Sequence, residues 1–385
     1  MNIKSLLIGS AAALAAVSGA QAADAIVAAE PEPLEYVRVC DAFGAAGFFY
    51  IPGTETCLKF DGYVRFQTDF GRNKSGRSDW DSFTRAQFNI DTRTDTELGV
   101  LRGYIGFQGN ADRGANSVAS TDGSGVFVDQ AFIEISGFKV GKFTSWWDDG
   151  LAGETDVLST NAKFNSARYV YDAGSFWAGV SVDELEGTRT QFGRLTGATI
   201  QSEETLKVYN VRTRKNDNNV GVAAGVGAKF GAATLQFIGG YDTDLEEGAL
   251  RLIATADIGP GKLGLAGVWA SGANAYYAES EWAVAAEYAI AASDKLTIAP
   301  SVQYSGNVAR TGTALTGYST DVGGGDVTET YKVTNAWSKA DEWRAGVTVD
   351  YKITDGFSAK VAATYVDREF AAEQWTGLVR LQRGF

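Results

Sequence analysis

Residues 58–70 have the sequence LKFDGYVRFQTDF, in which apolar and polar side chains alternate almost throughout. A β-strand points successive side chains to opposite faces, so this stretch predicts a strand with one apolar and one polar face. The apolar face holds Leu58, Phe60, Gly62, Val64, Phe66 and Phe70, and the polar face holds Lys59, Asp61, Tyr63, Arg65, Gln67 and Asp69. A single alternating strand fits any half-buried antiparallel sheet, so only its repetition is informative.

The alternation recurs along the chain, with apolar faces that begin for example at Trp80, Val220, Trp282 and Trp343. It predicts sixteen strands, at 58–70, 80–93, 98–108, 126–136, 138–145, 165–171, 176–183, 220–230, 233–241, 249–258, 262–270, 282–290, 296–304, 342–352, 357–366 and 374–385. Short Gly-, Asp- and Pro-rich turns alternate with long connections at 109–125, 146–164, 184–219 and 305–341. This pattern is typical of an all-β, closed 16-stranded antiparallel transmembrane β-barrel.

The N-terminus has the features of a secretory signal: Lys4, a short apolar run, and the small-x-small site Ala20-Gln21-Ala22. The run is about 12 residues, shorter than the roughly 20 that a membrane helix needs. We therefore expect a cleaved signal peptide at 1–22, an N-terminal segment at 23–56, and the barrel at 57–385. The terminal Phe385 closes an alternating strand, as barrel-assembly signals do.

The composition excludes several functions. The net charge is −13, which argues against nucleic-acid binding through the global field. The chain has 0 His, which excludes Ser-His-Asp and Cys-His catalysis and most zinc sites, so we expect no enzyme. The 2 cysteines, Cys40 and Cys57, would meet an oxidising periplasm after export. A disulfide is the expected state there, with two free thiols as the alternative.

Several segments resemble the alphaproteobacterial general porins. They are Met1-Asn2-Ile3-Lys4-Ser5-Leu6-Leu7, Glu35-Tyr36-Val37-Arg38-Val39-Cys40-Asp41-Ala42, Tyr50-Ile51-Pro52-Gly53-Thr54-Glu55-Thr56-Cys57, Asp95-Thr96-Glu97-Leu98-Gly99, Asp129-Gln130-Ala131-Phe132-Ile133 and Leu381-Gln382-Arg383-Gly384-Phe385. The resemblance implies an outer-membrane homotrimer whose third loop folds inward to narrow each pore. It also implies passive diffusion of small hydrophilic solutes and ions without a cofactor.

Strand parity predicts which side chains line the water-filled lumen. Five basic residues fall on the water-facing set, Arg65, Arg85, Arg102, Arg168 and Arg380, and they are candidates for the wall of a pore constriction. The loop after strand 5 carries Asp148, Asp149, Glu154 and Asp156 as its acidic counterpart. Such an arrangement would set up a transverse field and an ion preference. Alternatively, the arginines are ordinary wall residues paired with Asp61, Asp69 or Asp91, and the loop acids are solvated.

Two other functions remain open on the sequence alone. A sugar-selective channel would carry an aromatic slide, for which Tyr63 and Tyr104 are the candidates. A soluble adhesin or lectin would need a core packed between two sheets. Strand faces that contain Ala224, Ala228 and Ala359 offer little apolar side-chain surface for such a core. The expected partners are outer-membrane lipid and lipopolysaccharide, and the basic run Arg212-Thr213-Arg214-Lys215 either touches lipopolysaccharide phosphates or is simply solvated.

Overall fold

The structure is a computed structural model that describes residues 38–44, 47–71, 79–111, 124–185, 195–201, 208–212, 219–320 and 327–385. The predicted signal peptide at 1–22 lies outside these residues, as do residues 23–37 of the N-terminal segment. A 3₁₀ turn occurs at Trp146–Asp148. Within the described residues there is no helix of the length and hydropathy that crossing a membrane requires.

The strands form one closed ring. They are β1 (Cys57–Phe70), β2 (Trp80–Thr96), β3 (Gly99–Ala111), β4 (Ser124–Ile135), β5 (Phe138–Thr144), β6 (Lys163–Asp172), β7 (Phe176–Glu184), β8 (Val220–Phe230), β9 (Ala233–Asp242), β10 (Glu247–Ile258), β11 (Gly261–Ala270), β12 (Ser280–Ala291), β13 (Leu296–Thr320), β14 (Glu342–Thr354), β15 (Phe357–Arg368) and β16 (Gln374–Gly384). Each pairs antiparallel with its neighbours, and β1 pairs with β16 to close the barrel. The predicted 16-stranded barrel is confirmed.

The barrel has a short-turn rim, where both termini of the ring lie, and a long-loop rim at its other end. Two of the long connections contain strands that the sequence analysis did not predict. Strand β13 continues past the predicted end at 304, because from Ala309 onward it pairs with a further strand, Val327–Trp337. The loop 184–219 likewise contains a hairpin of Leu195–Gln201 and Val208–Arg212. Both stretches are rich in Thr, Val and Tyr, residues that favour strands even outside a membrane wall.

The outer face of the barrel is apolar, with aromatic residues at both rims. Exposed tryptophans lie at the long-loop rim: Trp80, Trp269, Trp282, Trp343 and Trp375. Exposed Phe and Tyr side chains lie at the short-turn rim: Phe138, Tyr171, Phe176, Phe230 and Tyr351. Aromatic rings of this kind mark the two interfaces of a lipid bilayer. The outer face is therefore the lipid-contacting surface.

A small hairpin completes the wall beside the closing strand. Strand β16 pairs with β1 only from Tyr63 onward, so the first residues of β1 lack that neighbour. Phe49 and Tyr50 occupy this edge by pairing with Leu58 and Cys57. The predicted disulfide Cys40–Cys57 holds the hairpin there, and Cys40, Phe48 and Cys57 form a buried cluster. The segment is thus part of the wall at the short-turn rim.

We predict that the double substitution Cys40→Ser/Cys57→Ser loosens this hairpin. The bridge closes a loop of 17 residues, for which the loop-entropy model gives roughly 3 kcal/mol. Limited proteolysis within 38–56 should accelerate by up to about a hundredfold, while the barrel strands stay protected. Equal cleavage rates in the oxidised protein and the variant would show that the disulfide does not hold the hairpin.

Candidate functional site: a loop that crosses the lumen

The loop between β5 and β6, residues 145–162, leaves the long-loop rim and enters the barrel; we call it the crossing loop. Its neck is closed where the Ser145 amide donates to the Ala162 carbonyl at 2.7 Å. Its far end contacts lumen-facing side chains of β12, β13, β14, β15 and β16. These strands lie about half a turn around the ring from β5 and β6, so the loop spans the lumen.

The far end of the crossing loop is anchored through its backbone. Glu287 on β12 accepts hydrogen bonds from the amides of Ala152 at 2.9 Å and Gly153 at 2.6 Å. The Thr348 hydroxyl on β14 accepts from the Glu154 amide at 3.0 Å. The Gln303 side chain on β13 accepts from the Val157 amide at 2.7 Å. Backbone anchoring fixes the position of the loop and leaves its side chains available to the lumen.

The neck of the crossing loop packs in a dry core against one side of the wall. Trp146 stacks with Trp177 on β7 at 5.4 Å between ring centroids, and Trp147 lies 5.7 Å from the ring of Tyr276. The facing inner wall of β8 and β9 carries small residues, Gly221, Ala223, Gly225, Gly227 and Gly240. A Cβ atom at Gly240 would lie only 2.5 Å from the Tyr276 ring. The lumen beside β7–β11 is therefore filled by packed side chains.

One loop acid faces the predicted basic wall. The Glu154 carboxylate lies 2.9 Å from Lys360 Nζ on β15 and 3.4 Å from Arg380 on β16. Arg65 on β1 stands opposite Arg85 on β2 in the strand register. Arg65 is also within electrostatic reach of Arg380 and Glu154. The structure thus brings together Arg65, Arg85, Arg380 and Glu154 of the predicted site, and adds Lys360.

The three arginines of this cluster are oriented by neutral amides. Arg65 Nε donates to the Gln382 side chain at 2.8 Å, and Arg85 Nε donates to Asn110 at 2.8 Å. Arg380 Nε donates to Gln67 at 2.6 Å. An amide oxygen fixes the guanidinium geometry but does not cancel its charge. Arg65 and Arg85 consequently keep a positive potential that points into the lumen, whereas Arg380 also contacts the Glu154 carboxylate at 3.4 Å.

Arg102 and Arg168 have other surroundings. Arg102 lies 2.9 Å from Asp91 and 3.4 Å from Glu134, so carboxylates neutralise it, as the alternative interpretation expected for pairing with Asp91. Arg168 is buried, with its guanidinium 4.1 Å from the Trp146 ring and a hydrogen bond to the Thr144 carbonyl. Its contacts are with the neck of the crossing loop. Neither residue contacts Glu154 within the described contacts.

The other loop acids also differ from one another. Asp149 accepts from Gln236 on β9 at 2.7 Å, and Asp148 is exposed near the neck. Asp156 accepts from the Leu151 amide at 3.5 Å, within the loop itself. Burial raises the pKa of Asp156 above that of an exposed aspartate, although this hydrogen bond opposes the shift. Asp149 and Asp156 thus hold the loop through hydrogen bonds, and Glu154 is the loop acid that contacts the basic wall.

The aromatic residues considered for a sugar slide are partly covered. The Arg65 guanidinium lies 4.7 Å from the Tyr63 ring, and the Arg102 guanidinium lies 5.4 Å from the Tyr104 ring. Tyr104 also stacks on Phe132 at 5.0 Å. Rings held against cations and other rings offer less face to a passing sugar than an open slide would.

The sequence did not single out Lys360, Glu287 or the amide partners of the arginines. Lys360 and Glu287 share the water-facing parity of their strands, which was the available signal. The alternation along a strand shows which face of the wall a side chain lies on, but it does not show the position of the side chain along the barrel axis. The alternation therefore could not distinguish Lys360 and Glu287 from other polar residues of the wall. Arg251, a buried arginine on β10, was missed for the same reason.

These features define a membrane-spanning β-barrel channel with an internal loop. The family model described as the porin subfamily matches residues 24–379, and the chain belongs to that family. It is 46% identical to outer membrane protein IIIA of Rhizobium leguminosarum bv. viciae, over 98% of this chain and 93% of that protein. It is 33% identical to porin Omp2b of Brucella neotomae, over 100% of both chains. The protein is accordingly an outer-membrane porin, and the resemblance found in the sequence is confirmed.

Solved structures show the same fold. The outer membrane channel DcaP of Acinetobacter baumannii superposes with a TM-score of 0.59 at 12% identity, covering 89% of this chain and 100% of that chain. A loop-deletion variant of OmpT, an outer membrane protein of Vibrio cholerae, gives a TM-score of 0.56 at 13% identity, with coverage of 86% and 100%. At this identity the likeness concerns the fold alone.

The packing of the neck predicts a sharp difference between two adjacent glycines. Gly240→Ala places its Cβ against the rigid Tyr276 ring, and overpacking of this kind costs about 1–3 kcal/mol. Gly239→Ala is the matched control, since its Cβ meets only a Leu250 methyl at 3.0 Å on the lipid face. Thermal unfolding in detergent should show a lower midpoint for Gly240→Ala alone. Equal midpoints would mean that Tyr276 does not fill this wall.

Proposed function

We propose that this porin is a general-diffusion channel in which the crossing loop forms the constriction. Glu154 on the loop, held against Lys360 and Arg380 on the wall, then borders the narrowest part of the water path together with Arg65 and Arg85. The observation that supports this most is the orientation of Arg65 and Arg85 by neutral amides. Their charge is preserved where a passing ion or dipole would meet it.

Such a field acts on solutes by orientation and desolvation. Water and dipolar solutes align with a field between a carboxylate and guanidinium groups, whereas apolar solutes must disrupt that order. Small hydrophilic solutes and ions are therefore the class of substrate that passes. Membership in the porin family indicates a channel rather than an enzyme. We infer that the chain works without a cofactor.

We also propose a homotrimeric assembly in lipid and lipopolysaccharide after cleavage behind Ala22. The apolar outer face with its two aromatic rims supplies the surface for lipid and for neighbouring subunits. The basic run 212–215 considered for lipopolysaccharide has no described side chains. N-terminal sequencing of the mature protein tests the cleavage site.

Planar-bilayer recording of the detergent-purified protein tests the diffusion mechanism. We expect stepwise insertions in groups of three, with conductance that rises linearly with salt. A conductance blocked by one class of sugar would instead identify a substrate-specific channel. The absence of any channel would contradict the proposal as a whole.

Charge substitutions test the constriction residues. Reversal of charge in Arg65→Glu/Arg85→Glu should shift the reversal potential toward cations, because it removes two unneutralised positive charges from the wall. Glu154→Gln should shift it toward anions. Arg102→Gln is a suitable control, since Asp91 and Glu134 already neutralise Arg102. Unchanged potentials in the first two variants would exclude this cluster as the selectivity site.

A further inference from the structure

Arg251 on β10 joins both ends of the crossing loop. Its guanidinium donates to the Trp146 carbonyl at 2.6 Å, the Trp147 carbonyl at 2.8 Å and the Leu158 carbonyl at 3.4 Å. The side chain is 1% exposed and stacks 5.2 Å from the Trp147 ring. The Arg251 side chain therefore links residues 146–147, where the loop leaves β5, to residue 158, where the loop returns toward β6.

A buried arginine of this kind is costly unless its charge is compensated. The carboxylates of Asp148, Asp149 and Asp156 all lie within electrostatic reach of Arg251, and all three belong to the crossing loop. The planar guanidinium can donate hydrogen bonds to several carbonyls at fixed angles, whereas an apolar side chain can only fill the space. The contacts of Arg251 therefore position the loop as well as pack the wall.

A second segment hydrogen-bonds to the neck at Thr160 and Asn161, where the loop returns to the wall. The β11–β12 connection, residues 271–279, folds inward, and Tyr276 and Tyr277 are fully buried. The Thr160 amide donates to the Tyr276 carbonyl at 3.0 Å, and the Asn161 side chain donates to the Ala275 carbonyl at 2.7 Å. The Ala278 amide donates back to the Thr160 hydroxyl at 2.8 Å.

This inward-folded connection is itself fixed to the wall. The Tyr276 hydroxyl donates to Asp183 on β7 at 2.8 Å, and the same carboxylate accepts from Ser166 and Ser181. The Asn274 side chain accepts from the amides of Tyr276 and Tyr277 and so shapes the turn. The neck is consequently held between Arg251 on one side and an immobilised turn on the other.

We propose that Arg251 and residues 271–279 form a neck clamp, a positioning element that gives the constriction a single stable aperture. The far end of the loop is anchored at Glu287, Gln303 and Thr348. At the root, the clamp adds to the Ser145–Ala162 hydrogen bond and the Trp146–Trp177 stack, and it fixes the spacing between the outgoing and the returning halves of the loop. This inference rests on the proposed function, because it assumes that the crossing loop sets the width of the water path.

Single-channel recording of the full-length protein tests the clamp with Arg251→Met. This variant removes the guanidinium hydrogen bonds to three carbonyls, of which that of Trp146 keeps the Asp149 amide as a donor. Open-channel current noise should therefore rise several-fold, and the voltage that triggers closure should fall. Arg251→Lys retains donors and should be intermediate. Arg344→Met is the matched control: it removes one lumen-facing cation whose described partner is Glu342 rather than the crossing loop.

A milder variant keeps the test decisive should Arg251→Met fail to insert. Asn161→Ala removes one hydrogen bond between the two inward segments and should raise the noise by a smaller factor than Arg251→Met. Noise and closure voltage equal to the wild-type values in Asn161→Ala and in Arg251→Lys would overturn the clamp. Noise that rises equally in Arg344→Met would also overturn it, since loss of charge would then be the cause.

The clamp and the proposed function fail in distinguishable ways. In one outcome, Glu154→Gln shifts the reversal potential and the Arg251 variants keep the wild-type current noise; this outcome supports the constriction and rejects the clamp. In the other outcome, Glu154→Gln leaves the reversal potential unchanged and the Arg251 variants show increased current noise; this outcome rejects the proposed selectivity site and supports the clamp.

Discussion

The structure depends on one constraint: every backbone N–H and C=O group that faces hydrocarbon must have a partner within the protein. The pairing of β1 with β16 satisfies this requirement by closing the ring. Where β16 stops short, the hairpin at Phe49 and Tyr50 takes over the edge of β1. The terminal Phe385 joins the same seam through two backbone hydrogen bonds with Gly62. The closed ring and its seam follow from this requirement, whereas the alternation of side chains follows from one face meeting lipid and the other the lumen.

Closure leaves an interior that the protein must fill in part. On the side of β7–β11 the wall carries small residues, and the aromatic neck of the crossing loop and residues 271–279 pack on it. On the other side the wall carries arginines that the side-chain amides of Gln382, Asn110 and Gln67 orient. The packed side fixes the neck of the loop, and the anchors on β12–β14 hold Glu154 beside Lys360 and Arg380.

The sequence predicted the features that repeat and missed those that depend on depth. Alternation recurs in every strand, so sixteen strands, the lipid face and the lumen-facing parity of Arg65 and Arg380 could be predicted from it. The height of a residue in the barrel depends on strand tilt and register, which one sequence does not encode locally. Arg102 therefore seemed equivalent to Arg85, although Asp91 neutralises the first and Asn110 orients the second.

Contacts between distant segments were the other limit. The anchor between Glu287 and Gly153 joins residues 134 positions apart, and the link from Arg251 to Trp147 spans 104. No local pattern marks such pairs, because both partners look like ordinary polar wall or loop residues. The extension of β13 beyond 304 was missed for a related reason, since its pairing changes from β14 to Val327–Trp337 partway along the strand.

We propose above all that the crossing loop limits the size of the solutes that pass. Swelling of liposomes that contain the protein, measured with uncharged sugars of increasing size, tests it most directly when the full chain is compared with a variant lacking residues 150–155. The account predicts a sharp size cut-off in the full chain and a clearly larger cut-off in the deletion variant. The same cut-off in both proteins would show that the loop does not form the constriction.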